Sequence, residues 1–163
     1  MSKTQETITR SIPMETWCNL AREGAAPPVT ICLEGDSMRP LIRRGRDPVT
    51  IIPVNRPLKR GDVVLFQLGS RYIVHRVWKL AAGRVRTFGD NCWNPDPWIP
   101  EKQVLGLVVK YSRNGKVHRL DTRQSRAWGR CWMALHPLRL MYLRCRSLAA
   151  RIVKRILKAV KKA

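Results

Sequence analysis

The chain has 163 residues, of which 44% are hydrophobic, so it suits one folded domain with appended segments and not a disordered basic tail. Its formal net charge of +21 is concentrated near the C-terminus, because residues 110–163 hold 16 Lys and Arg against one acidic residue. Five dispersed cysteines, without a C-x-x-C pair or a histidine cluster, favour a reducing compartment over a disulfide framework or a zinc site.

Residues 1–28 predict a short helix followed by a linker. A weak helical spacing of apolar residues stops at Gly24, before the sequence AAPP; these residues are Ile8, Ile12, Trp17 and Leu20. The segment lacks the apolar centre of a signal peptide, and no run of about 18 apolar residues occurs in the chain. We therefore expect a cytoplasmic protein without a transmembrane helix, and peripheral attachment to a membrane is compatible with this sequence.

From residue 29 the sequence changes to short apolar runs separated by Gly, Pro and Asp. Seven such runs, rich in Val and Ile, predict about seven strands: VTICLEG, PVTIIPV, DVVLFQL, RYIVHRVW, RVRTFG, VLGLVVKYS and KVHRLDT. The predicted fold class is mostly β, and residues 29–121 form the predicted core.

Residues 122–163 predict a basic amphipathic helix. Apolar side chains recur every three or four positions from Leu138 to Val160, and nine Lys and Arg fill much of the remainder. This pattern is typical of a helix on an anionic membrane, and it is equally compatible with an apolar stripe packed on the β core. Specific nucleic-acid binding is disfavoured, because the tail neither interleaves aromatic with basic residues nor resembles a recognition helix.

The sequence GDSMRP places a serine, Ser37, between Asp36 and Met38. Asp and Ser before a proline commonly form a turn, which is the simplest interpretation of this stretch. An unaided hydroxyl is a poor nucleophile and needs a base within hydrogen-bond reach, together with a group that orients the base. Whether Ser37 is a nucleophile therefore depends on what the rest of the chain supplies.

Three histidines are candidate bases. His118, in a basic hairpin, and His136, in the basic tail, are expected to be exposed. In RYIVHRVW, strand alternation puts His75 on one face with Ile73 and Val77, among apolar neighbours. A half-buried structural histidine is the commoner interpretation of such a position, and a general base is the alternative.

Two aspartates in the sequence FGDNCWNPD are candidates for the orienting group. Asp90 follows Gly89, and Asp96 lies six residues further on. Carboxylates in a loop rich in Gly, Asn and Pro usually cap turns through backbone N–H groups. A rigid loop after a strand also suits a carboxylate that orients a histidine, so both roles stay open.

The ordered sequences GDSMRP, RGDVVLF, YIVHRV, GDN and VLGLVV resemble the signal peptidase I and LexA-like serine peptidase superfamily over residues 29–112. The resemblance implies a coiled β-sheet catalytic core and hydrolysis of a peptide bond through an acyl-enzyme. It implies no metal and no organic cofactor. The substrate it implies is an extended peptide beside a strand, with small residues at the first and third positions before the cut.

The same resemblance assigns roles to residues. Ser37 takes the place of the nucleophile, and His75 that of the general base in signal peptidases of the endoplasmic-reticulum and archaeal type. Asp96 corresponds to the acid. The supporting positions, some of them near the oxyanion, are Asp36, Met38 and Asp90. Because the reference pKa of histidine is about 6.5, we expect His75 to be neutral at pH 7.

Two features depart from the signal peptidase pattern. Gly35 stands where a second serine commonly helps to bind the oxyanion, so backbone N–H groups, chiefly that of Ser37, must bind it. The N-terminal membrane anchor of signal peptidases is not found in the sequence, and the GDSM spelling resembles the LexA-like branch.

Two alternative functions follow from these departures and from the charge. One is a self-cleaving regulator of the LexA type, for which the bond at Ala25 or Ala26 is the nearby candidate with small residues. The other is a non-catalytic basic protein that binds a membrane or nucleic acid.

Overall fold

A computed structural model describes residues 12–138 and Met141 of the chain. As predicted, this part is mostly β, and its strands form one antiparallel sheet that curls into a half-barrel. The strands are β1 Val29–Ile31, β2 Val49–Pro53, β3 Val63–Leu68, β4 Arg71–Ala81, β5 Arg84–Phe88, β6 Trp98–Pro100, β7 Val104–Arg113 and β8 Lys116–Arg119. The helices are α1 Met14–Arg22 and α2 Arg123–Ala134, and one 3-10 turn spans Glu101–Gln103.

Each of the seven predicted runs contains a strand, and the structure adds β6, which the sequence did not predict. This strand is only three residues long, and it pairs with β5 through Arg84 and Pro100. Its sequence, WIP, follows Pro97 and ends in Pro100, and proline is usually a sign against a strand because it donates no ladder hydrogen bond. The pairing with β5 tethers the chain directly after the loop that contains Asp96.

The strand order is β1-β2-β7-β3-β4-β5-β6, with β8 paired to the C-terminal half of β7. Strand β4 is the longest, and its two ends have different neighbours. Residues 71–76 pair with β3, whereas β5 pairs with β4 only from Arg76 onward. One backbone edge of residues 71–75 therefore faces away from the ladder in the described part of the chain.

Two apolar clusters form the core, and strand alternation divides the side chains between them. Along β3, Val63 and Leu65 belong to one cluster, while Val64 and Phe66 belong to the other. Helix α1 contributes Trp17, which is fully buried in the first cluster.

Close packing of α1 on the sheet requires a glycine in β7. A Cβ at Gly106 would stand 2.6 Å from the Ile51 side chain and 2.9 Å from the Trp17 ring, which is closer than real Cβ contacts. The side-chain N–H of Trp17 donates to the Pro27 carbonyl at 2.7 Å, so the segment between α1 and β1 is also tied to the helix.

The chain divides into two compact units, one ending at Arg130 and the other beginning at Cys131. Of the tail predicted as helical, residues 123–134 form α2, whereas the apolar stripe from Leu138 to Val160 lies almost entirely outside the described residues and stays a prediction. Its first two apolar residues, Leu138 and Met141, are described, and each is 59% exposed. Within the described residues, none of the helices has the length and apolar content needed to cross a bilayer.

Candidate active site

The base and acid suggested by the sequence are joined by a short hydrogen bond. His75 Nδ1 lies 2.7 Å from Asp96 Oδ2, and the side chains are 8% and 14% exposed. Because a carboxylate only accepts, Nδ1–H is the donor, which leaves Nε2 as the basic nitrogen of the neutral ring. This is the geometry in which a carboxylate fixes the tautomer of a catalytic histidine.

Asp96 is itself held by β5. The hydroxyl of Thr87 donates to Asp96 Oδ2 at 2.6 Å, and the backbone N–H of Asp96 donates to the Thr87 carbonyl at 3.0 Å. The Arg86 guanidinium donates to the Asp96 carbonyl at 2.8 Å. Although Asp96 is in a loop, its carboxylate is therefore fixed by a neighbouring strand.

Ser37 lies in a tight turn whose two neighbouring side chains have opposite surroundings. Asp36 is exposed and forms a 3.6 Å ion pair with Arg39, whereas Met38 is 1% exposed and packs in the core. The Met38 carbonyl accepts from the N–H of Ile42 at 2.9 Å, which closes the turn. Met38 thus anchors the turn in the core, and Ser37 lies beside it, half-buried at the surface.

A glycine allows His75 to approach the serine turn. A Cβ at Gly89 would stand 2.8 Å from His75 Nε2 and 3.0 Å from the Ser37 carbonyl oxygen. Among the described residues, Ser37 Oγ forms no hydrogen bond, so His75 and Ser37 are neighbours that are not yet bonded. Catalytic hydrogen bonds are often long or absent without substrate and shorten when it binds.

The GDN loop is bonded directly to the serine turn. The backbone N–H of Asn91 donates to the Ser37 carbonyl at 2.7 Å, and its side-chain amide donates to the Asp36 carbonyl at 3.3 Å. Asp36 therefore helps to join the turn to the GDN loop through its backbone carbonyl, while its side chain is exposed. Asn91 was not among the predicted site residues, although its place in the GDN sequence could have identified it.

Asp90 and Asp96 bind different side chains. It accepts two hydrogen bonds from the guanidinium of Arg76, at 2.9 and 2.7 Å, and both side chains are buried. Arg76 also donates to the Gly61 carbonyl at 2.9 Å and packs against Gly129, which leaves no room for a Cβ there. Asp90 thus fixes the loop to the sheet from the face opposite His75.

Two opposing effects act on the pKa of His75. Burial of the ring disfavours the imidazolium, and this is the largest single effect. Hydrogen bonds and charge interactions with Asp96 and Cys92 together outweigh it and raise the pKa of His75 from 6.5 to about 9. The expectation of a neutral His75 at pH 7 is therefore wrong for the protein without substrate, because this carboxylate stabilises the protonated ring.

A thiol faces the other nitrogen of the ring. Cys92 Sγ lies 3.9 Å from His75 Nε2, and Cys92 is half-buried. Sequence reasoning missed Cys92, because the cysteines are dispersed and the loop could not be positioned relative to His75. The other two histidines lie elsewhere: His118 is exposed and stacks on Tyr111, and His136 is half-buried, not exposed as expected.

A cleft of about 570 Å³ leads to Ser37. On one side it is lined by residues 31–35, from the last residue of β1 onward, and on the other by residues 72–74 of β4. The lining is mostly apolar, and Glu34 is its charged residue. The β4 edge that β5 leaves unpaired, residues 71–75, coincides with this wall of the cleft. An extended segment of another chain fits such a space, because the unpaired backbone groups can hydrogen-bond to it.

Comparison with known proteins adds no assignment. No protein-family model matches the chain, and no curated protein is significantly similar to it. The chemical interpretation of the site therefore depends on the geometry above and on the resemblance of the short sequence motifs.

Proposed function

We propose that the protein is a serine endopeptidase, similar to signal peptidases, that cleaves a leader or signal segment of a peptide or protein. The observation that carries this proposal is the 2.7 Å hydrogen bond between His75 and Asp96, next to the turn that presents Ser37 to a cleft. A buried structural histidine explains the burial of His75, but it does not explain a bonded carboxylate on one nitrogen and a serine turn beside the other.

The proposed reaction uses these groups in the order in which they lie. Neutral His75 takes the Ser37 proton at Nε2 while Oγ attacks the peptide carbonyl carbon, and it then gives the proton to the leaving amine. Water hydrolyses the acyl-enzyme by the same two proton transfers. Asp96 holds the ring in the required tautomer and stabilises the imidazolium that forms during each attack.

Backbone amides bind the developing oxyanion in this proposal. The N–H of Ser37 donates to no acceptor among the described residues, so it is available to the substrate oxygen. Gly35, where a second serine would help, supplies no hydroxyl. One well-placed donor typically contributes about 3 to 4 kcal/mol to stabilising the transition state.

The proposed substrate is an extended peptide. The unpaired edge of residues 71–75 offers backbone donors and acceptors along one wall, and pairing with a strand edge needs no particular side chain. Selectivity then depends on the side chains that enter the apolar cleft. The family resemblance suggests small residues at the first and third positions before the cut.

Self-cleavage of the LexA type has less support. Its candidate bond lies at Ala25 or Ala26, and Ala26 is 8% exposed and packs in the first core cluster. The neighbouring Pro27 carbonyl accepts from Trp17, which ties this segment to α1. The segment would have to leave the core before it could reach Ser37.

A serine-directed fluorophosphonate probe tests the proposal. We expect the full-length protein to gain one adduct, which peptide mapping places on Ser37, and we expect Ser37→Ala to gain none. Ser70→Ala is the matched control, since Ser70 is an exposed turn serine and its loss should change nothing. Failure of the folded protein to react, or an adduct on another serine, would overturn the proposal.

Comparison of new N-termini in cells with wild-type protein or Ser37→Ala identifies the substrate. The proposal expects cuts after small residues that are present only with the wild type. A non-catalytic basic protein would produce no difference in N-termini between the two.

We also propose that the protein acts at the cytoplasmic surface of an anionic membrane through its basic tail. The exposure of Leu138 and Met141 supports this, because both begin the predicted apolar stripe. Full-length protein should sediment with anionic but not neutral vesicles, and it should lose this binding at high salt or on deletion of residues 137–163. Unfolding of the deleted form would instead show that the tail is part of the core.

A further inference from the structure

The proposed reaction does not use Cys92, although its thiol lies against the proposed base. Cys92 Sγ is 3.9 Å from Nε2 of His75, and Asp96 is bonded to Nδ1 on the opposite side of the ring. The three side chains form a continuous thiol–imidazole–carboxylate series. Such a series is the arrangement that activates a sulfur nucleophile, since the imidazole accepts the thiol proton.

Comparison with the other cysteines shows what is particular to Cys92. Cys32 and Cys131 are exposed, Cys18 is buried, and Cys92 is intermediate. Among the described cysteines, only Cys92 contacts a histidine. Reactivity governed by exposure alone would therefore favour Cys32 and Cys131, whereas reactivity governed by an adjacent base favours Cys92.

We propose that Cys92 is a site of reversible thiol modification by low-molecular-weight disulfides, and that its modification switches off Ser37. The second part of this inference rests on the proposed peptidase function, and the first part does not.

The chemical step is a thiol–disulfide exchange. The proton on Cys92 Sγ passes to Nε2 of the neutral form of His75, Sγ bonds to one sulfur of the disulfide, and the bond between the two disulfide sulfurs breaks. The second sulfur leaves as a thiolate and takes up the proton. A free dithiol reverses the exchange, so no oxidant other than the disulfide is consumed.

The position of Sγ explains why an adduct would stop the hydrolysis. The thiol packs over Gly89, where a Cβ would already stand 2.5 Å from Sγ and 2.8 Å from His75 Nε2. A group attached to Sγ must therefore extend away from Gly89 and past Nε2 of His75. It would occupy the space in which Ser37 Oγ has to approach the base.

The first experiment measures the modification itself. Reduced full-length protein is incubated with glutathione disulfide, and the rate of adduct formation at each cysteine is followed by peptide mapping. Cys92 should react faster than the more exposed Cys32, and His75→Gln should slow Cys92 by about tenfold or more, since general-base assistance is typically worth about 10²–10⁴-fold. Equal or slower reaction of Cys92, or no effect of His75→Gln in a folded protein, would overturn the modification site.

The second experiment measures the consequence for Ser37. Wild-type protein should lose labelling by the serine probe as the Cys92 adduct forms, and a dithiol should restore it. Cys92→Ser should label equally well before and after exposure to the disulfide, while the matched control Cys131→Ser, at an exposed cysteine outside the cleft, should behave as the wild type. Loss of labelling in Cys92→Ser under the same treatment would contradict the switch.

A failure of the Cys92 proposal can be distinguished from a failure of the proposed peptidase function. Adduct formation does not require Ser37, so Ser37→Ala should be modified at Cys92 at the wild-type rate. If the reduced wild type never reacts with the serine probe, the peptidase proposal and the switch fail, and the mapping still decides whether Cys92 is a modification site. If Cys92→Ser melts well below the wild type, Cys92→Ala takes its place in the labelling experiment.

Discussion

Two adjacent residues of β4 hold two carboxylates on opposite faces of the sheet, and the two pairs differ in what they can do. His75 bonds to Asp96 beside the cleft, with side chains 8% and 14% exposed, whereas Arg76 bonds to Asp90 in the interior, at 1% and 0%. Alternation along the strand produces this division, because neighbouring side chains point to opposite faces. One motif, GDN with an aspartate six residues on, supplies both carboxylates.

The comparison shows that the chemistry of the cation decides the role of each pair. Arginine cannot lose its proton in a protein, so Arg76 needs Asp90 permanently and their pair can only be structural. Histidine can lose its proton, so His75 can pass between charged and neutral forms while Asp96 stays in place. The proposed base, His75, and a structural arginine, Arg76, are therefore adjacent residues of β4.

The largest effect should come from removing the reactive groups on the His75 side. Ser37→Ala and His75→Ala should each lower turnover to a similar degree, up to about 10⁶-fold, and the double variant should be no worse because the two act as a unit. Cleavage of a mapped substrate peptide measures this. A folded His75→Ala protein that keeps most of its turnover would remove His75 from the mechanism.

Asp96→Asn should produce the next largest effect, and on rate more than on stability. The asparagine no longer enforces the tautomer with Nε2 as the basic nitrogen, and the equivalent change in a serine protease costs about 10⁴-fold in turnover. Stability should fall less than in Asp90→Asn, because His75 can release its proton when the carboxylate is lost. Turnover and the melting temperature of the same preparation test both statements.

Asp90→Asn should show the opposite pattern. It leaves a buried Arg76 charge without its counter-ion, which typically costs about 3–5 kcal/mol of stability. Chemical denaturation of Asp90→Asn and Asp96→Asn side by side measures the difference. A larger loss of stability in Asp96→Asn than in Asp90→Asn would exchange the two roles.

Thr87→Val should produce the smallest effect, and it tests how the carboxylate of the His75–Asp96 pair is held. Thr87 is fully buried, and valine keeps its shape while it removes the donor to Asp96 Oδ2. Loss of one such hydrogen bond should cost about 1–2 kcal/mol, expressed as roughly tenfold in kcat/KM and a few degrees in Tm. Thr50→Val on β2, which removes a hydrogen bond to Thr30 on β1, is the control and should leave kcat/KM unchanged.

Much of the fold follows from the sequence, because strand length and apolar alternation are local properties. The seven predicted runs all contain strands, and the position of His75 on a largely buried face follows from the period of two. Strand β6 could not be predicted, since it is three residues long and is defined by its pairing with β5. Trp17 was expected in a separate helical segment, and its burial depends on a gap at Gly106 that only the folded sheet reveals.

The site was predicted less completely than the fold. The motifs named Ser37, His75 and Asp96, but the contacts of Thr87, Asn91 and Cys92 depend on loops that meet only after the sheet has curled. The raised pKa of His75 has the same origin, because it arises from the distances to Asp96 and Cys92 and not from the residue type. Sequence patterns show which residues share a face of a strand. A shifted pKa depends instead on the distances between side chains from different strands and loops.

The rate of fluorophosphonate labelling of Ser37 as a function of pH tests the central claim most directly. A base with its pKa raised to about 9 is protonated at neutral pH, so labelling should rise as the pH increases and level off above about 9. Asp96→Asn should move the midpoint to lower pH and lower the plateau, because the carboxylate no longer stabilises the imidazolium. His75→Ala should be slow and should lack this transition. A folded wild type with the same labelling rate and pH profile as His75→Ala would contradict the account.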